Sequence, residues 1–157
     1  VVIVLALVTL IMRSLVYGLL SILPLSVAII INFGVMGLLD IPLDAATAIS
    51  ACVAIGIGID YGLHYLNRYR LFRDAGQGHE EAVVHTAETT GGSICINASA
   101  VAAGFSVLML SAFVPLVNLG FLIALTMLTS SAASLTLLPA VLSLTDRSDS
   151  TSTRHKE

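Results

Sequence analysis

The chain is short of charge. Only 11% of its residues are Asp, Glu, Lys or Arg, against about 25% in soluble domains. That shortage excludes an ordinary water-facing surface. Cysteine is scarce as well: Cys52 and Cys95 each sit inside an apolar run. Two such residues build neither a zinc cluster nor a disulfide framework, and they read as small packing residues. The glycines around position 58 follow no strand and precede no suitably placed basic residue, which excludes a phosphate cradle. No paired His ligands and no Ser-His-Asp set stand within the apolar runs, which argues against an enzyme. No cofactor, metal or nucleic-acid partner is implied. The opening Val1-Val2-Ile3-Val4 has neither Met nor a basic flank, so it is not a signal peptide. We expect the chain to be the C-terminal part of a longer polypeptide.

What is present is apolar surface: 57% of the 157 residues, with a mean hydropathy of +0.98. It falls in blocks rather than on one helical face. A helix that is apolar all round needs lipid or a large protein interior around it, and this chain is too small to supply the latter. The expected fold is therefore all-α, a polytopic membrane bundle of about five transmembrane helices, each needing about 20 mostly apolar residues. The expected spans are 1–12 (short), 15–39, 45–66, 93–113 and 116–144. Pro24 should kink the second, and Pro139 should bend the last turn of the fifth. Asp40-Ile41-Pro42-Leu43-Asp44 reads as a tight turn with Asp44 as N-cap. Val114-Pro115 divides the fourth helix from the fifth.

A polar connection follows the third span. Within it, apolar residues at 83, 84 and 87 give a modest stripe, so an amphipathic surface helix is expected over 79–90. Residues 145–157, rich in Ser, Thr and charge, are expected to be a disordered tail. All seven basic residues lie in three places: Arg13; Arg68, Arg70 and Arg73; and Arg147, Arg154 and Lys156. With five crossings these share one side. The positive-inside rule assigns that side, and the tail, to the cytoplasm of a cell membrane.

The stretch Gly56-Ile57-Gly58-Ile59-Asp60-Tyr61-Gly62-Leu63-His64 carries the chemistry. A carboxylate in hydrocarbon costs roughly 2.5–3.5 kcal/mol on the lenient insertion scale, so such residues face a bundle interior and mark ion or proton pathways. Asp60 lies about 15 residues into its helix, some 20 Å from the outer surface. Its alternative is a fixed partner serving packing alone. His64, at i+4 on the same face, suits proton passage near neutral pH; its alternative is an interfacial residue bonded to backbone. Tyr61 points about 100° away and can reach a neighbouring helix, or simply pack. Ala54, Gly58 and Gly62 form a small-residue strip that admits another helix, and Gly56 leaves space beside Asp60. Asn97, with Ser99 and Ser106 on the fourth helix and Thr126, Thr129, Ser130, Ser131 and Ser134 on the fifth, can bond the Asp60 site or hold water. Packing is the plainer reading for most of them. Asn97 is kept as a weaker relay candidate.

Gly56-Ile57-Gly58-Ile59-Asp60-Tyr61, then His64 and Asn67-Arg68-Tyr69-Arg70, closely resembles the resistance-nodulation-division (RND) superfamily, nearest to its MMPL-like branch. The flanks agree in order and spacing: Arg13-Ser14 with Leu23-Pro24, Gly37-Leu38-Leu39 with Ile41-Pro42-Leu43, Glu88-Thr89-Thr90-Gly91-Gly92, Ala103-Gly104-Phe105 and Leu137-Leu138-Pro139-Ala140. The match covers roughly residues 1–144. The resemblance implies an exporter of lipids or other hydrophobic compounds, energised by proton influx and made of two homologous halves of six helices. This chain is similar to the last five helices of one half. The family's aspartate–tyrosine pair falls on Asp60-Tyr61, working with an equivalent pair on the other half or a second subunit. The implied partners are thus protons, a hydrophobic substrate, membrane lipids and that other half. Two alternatives share the five-helix organisation: a lipid sensor of the sterol-sensing type and a protein-export accessory of the translocase type.

Overall fold

The computed structural model describes residues 15–153, with side chains from 17 to 143. The expected span at 1–12 lies outside the described residues. Four α-helices follow: α1 (Leu15–Leu38), α2 (Ala45–Asp74), α3 (His79–Ser106) and α4 (Val114–Thr153). Among the described residues there is no strand, and four helices are long and apolar enough to cross a membrane. Helix α4 packs against α1, α2 and α3, and α2 also touches both α1 and α3.

The ends of the helices follow from local chemistry. Asp40 takes φ 51° at the close of α1, and Ile41 N–H donates back to the Met36 carbonyl at 2.9 Å. This is a Schellman stop, with Asp standing where glycine is cheapest. Asp44 then opens α2 through a capping box: its carboxylate accepts from Thr47 N–H (2.9 Å), and Thr47 Oγ1 accepts from Asp44 N–H (2.8 Å). Gly76, at φ 87°, closes α2 by a second Schellman stop, with Gln77 N–H on the Phe72 carbonyl at 3.2 Å. Pro24 and Pro139 lie inside α1 and α4, which continue through them. Pro115 stands in the first turn of α4, where its missing N–H costs nothing.

Three expected boundaries differ. Helix α2 runs to Asp74 rather than Leu66, because no Gly or Pro breaks it between Asn67 and Asp74. The expected surface helix at 79–90 and the span at 93–113 are one helix, ending at Ser106 and tightening into a 3-10 turn over Val107–Leu110. Its buried stripe is Ala82, Thr86 and Thr90, while Val84 and Ala87 are exposed. Small residues win that face because they let α3 approach its neighbours. The helical backbone of α4 continues to Thr153, into the segment expected to be a tail.

The core has a large cluster and a small one, the small one being Leu25 of α1 against Ile59 of α2. The large one joins three helices. Tyr61, Tyr65, Leu66 and Tyr69 of α2 meet Ala82, Ile94 and Ala98 of α3 and Ile123, Met127, Leu138 and Leu142 of α4. Among spans surrounded by lipid the gain is close packing rather than escape from water.

Candidate functional site

The small-residue strip of α2 sets the site by bringing helices to backbone distance. A Cβ on Gly62 would lie 2.6 Å from the Ser21 carbonyl oxygen, and one on Gly58 would lie 2.8 Å from Leu25 Cδ1. Ser130 Oγ of α4 donates to the Gly58 carbonyl at 3.0 Å. Ala54 is buried on the same strip, while Gly56 is exposed with open space beside it. One face of α2 is thereby committed to α1 and α4.

Tyr61 follows that inward face. It is 1% exposed, and its hydroxyl donates to Met127 Sδ at 3.7 Å. Asp60 goes the other way. Its side chain is exposed on the outside of the bundle, where the sequence reading expected an interior position. The 100° between neighbouring helical residues explains this: with Tyr61 filling the core, Asp60 has nowhere to point but out. His64 and Asn67 are exposed with it.

Two open clefts of about 320 Å³ each lie along the seam of α2 and α3, sharing the polar side chains of His64, Thr90 and Ser93 in their walls. The upper one reaches Tyr61, Ile94 and Asn97. The structure therefore gathers three expected residues, Tyr61, His64 and Asn97, around one cleft, and Asp60 stands one helical turn above His64. A polar cleft at this depth holds water or meets another polar surface.

The hydroxyls of α3 and α4 do other work. Thr129, Ser131 and Ser106 donate to carbonyls of their own helices. Thr126 donates to the Leu122 carbonyl and accepts from Asn32 Nδ2 of α1. Ser99 is exposed, and the fully buried Ser134 Oγ has no hydrogen-bond partner. Sequence reasoning missed Asn32, although it is the only amide in its span. It also missed a chain at the far end of the bundle. His79 Nε2 donates to the Leu142 carbonyl (2.9 Å), leaving Nδ1 to accept from the Tyr69 hydroxyl (2.7 Å). No group of three or more potential metal ligands exists among the described residues.

The four long apolar helices define a multi-pass membrane protein, with Asp60 inside the second of these helices. The MMPL family model matches residues 1–157. The chain belongs to the MMPL family. It is also 36% identical, over 130 residues, to a membrane protein of Methanocaldococcus jannaschii, a match covering 83% of this chain. The chain spans about a third (34%) of that curated relative's length. No solved structure matches it.

Proposed function

We propose that the chain is a transmembrane part of a proton-driven, RND-type exporter of lipids or other hydrophobic compounds. It would sit in the cell membrane with its basic segments and tail cytoplasmic. One observation carries the reading: Asp60 stands on the outward face of α2 at membrane depth, while its neighbour Tyr61 is anchored in the core. An ionised carboxylate there needs a polar partner, and the other half of the exporter would provide it. Protonation removes that need. The difference of roughly 2.5–3.5 kcal/mol shifts a two-state packing equilibrium by about two orders of magnitude. The cleft past His64 and Asn97 then leads the proton toward the basic end.

The test is Asp60→Asn in the full protein, reconstituted with an imposed pH gradient. Export and coupled proton uptake should both disappear. Export that persists unchanged would sink the proposal.

A lipid-sensor reading draws support from an apolar cavity of about 310 Å³ between α1 and α2, lined by Ile29, Phe33, Met36 and Ala51 among others. Lipid binding that survives with no proton dependence would favour that reading over transport.

A further inference from the structure

The lower of the two α2–α3 cavities has a chemistry of its own. Its walls include His64, Asn67, Arg68 and Leu71 of α2 and Thr89 and Ser93 of α3, and no acidic residue lines it. The Thr89 and Ser93 hydroxyls donate to the carbonyls of His85 and Thr90. The donors left to a ligand are the guanidinium of Arg68, the amide of Asn67 and the ring of His64.

The three arginines near the end of α2 are not equivalent. Arg73 donates to the Gln77 carbonyl at 3.0 Å and helps close the helix. Arg70 is half-buried, with its guanidinium 5.5 Å from the Tyr17 ring. Arg68 is exposed and lies 5.0 Å over the ring of Phe72. Phe72 is itself held edge-on by His85 at 5.7 Å. This stack presents Arg68 to the cavity.

Depth names the ligand. Arg68 lies some 23 residues beyond Ala45, which is about 35 Å along the axis. The hydrocarbon core is about 30 Å thick, so Arg68 stands at headgroup level. Above it α3 is bare, with Ile96 74% exposed, a surface suited to acyl chains. A guanidinium matches phosphate oxygens in geometry and charge. We propose that this cavity binds the phosphate of an anionic phospholipid headgroup in the leaflet at the basic end of the bundle, with the acyl chains along α3. The site shares His64 with the proton path proposed above, but its charge, Arg68, lies outside that path.

The experiment uses the full protein in nanodiscs of phosphatidylcholine containing a minor fraction of phosphatidylglycerol. Native mass spectrometry reads the lipid retained after extraction. The wild type should enrich phosphatidylglycerol over the bulk ratio. Arg68→Gln should lower that enrichment about tenfold, the worth of one charge-assisted hydrogen bond. Arg68→Lys should keep part of it, and Arg73→Gln and Asp60→Asn should leave it whole. Melting curves of each variant separate a lost site from a lost fold. Equal enrichment in wild type and Arg68→Gln would overturn the site. Retention of inorganic phosphate with no enrichment of phosphatidylglycerol would overturn the lipid as its source.

Discussion

Helices α3 and α4 are equally apolar by sequence, yet the bundle treats them in opposite ways. More than half of the apolar window of α4 is hidden inside the structure, and less than a fifth of that of α3. Helix α4 is the post on which the other helices lean, and polar seams fasten it: Asn32 to Thr126, Gly58 to Ser130. Helix α3 spends its small residues on one stripe and leaves the rest to the surroundings. Hydropathy says that a helix enters the membrane. It does not say whether lipid or protein will surround it there.

This contrast can be broken at matched positions. The largest effect is expected for Met127→Ala on α4, fully buried under the Tyr61 hydroxyl. Unfolding in detergent should show a loss of about 2–5 kcal/mol, whereas Ile96→Ala on α3 should stay within about 0.5 kcal/mol. The glycines come next. A Cβ on Gly120 of α4 would meet the Phe105 carbonyl oxygen at 2.5 Å, while one on Gly104 of α3 meets nothing within 4 Å. Gly120→Ala should destabilise by about 1–3 kcal/mol. Gly104→Ala should stabilise by up to about 1 kcal/mol. A melting series that ranks these two the other way would mean that α3 is the packed helix.

Smaller still is the seam between α1 and α4. A double-mutant cycle of Asn32→Leu and Thr126→Val should return a coupling of about 0.6 kcal/mol, typical of hydrogen bonds between membrane helices. No loss of stability is expected for Asp60→Asn, since the carboxylate faces outward and a neutral amide is less costly than an ionised carboxylate among apolar surroundings. A large loss there would show that the bundle itself holds Asp60.

The features legible in the sequence are those that local chemistry decides. The turn between α1 and α2 is written in Asp40, Asp44 and Thr47, whose caps need no distant neighbour. Membrane character is likewise a property of composition. The expected span 45–66 is matched to the bilayer, whereas the helix that carries it runs on to Asp74, because a helix with no breaker does not stop at the water. The expected separate surface helix is joined to the next span for a different reason: Gly91 and Gly92 lie in one helix that α4 supports, with Leu135 against Gly91. At the site, Asp60, Tyr61, His64 and Asn97 could be named, but not the sides they take. That choice belongs to Gly58 and Gly62, which decide where α1 and α4 fit. Asn32 and the Tyr69–His79–Leu142 chain depend on contacts across long stretches of sequence, which no local pattern records.

The Tyr69–His79–Leu142 chain has a mechanical consequence. It rivets α2, α3 and α4 together at one end, some two and a half turns from Asp60. Any tilting of these helices relative to one another takes that junction as its fulcrum. The displacement then grows along each lever arm, through the cleft and toward the far ends at Asp44 and Val114. A small rearrangement beside Asp60 would thus emerge as a larger swing at the opposite face of the membrane.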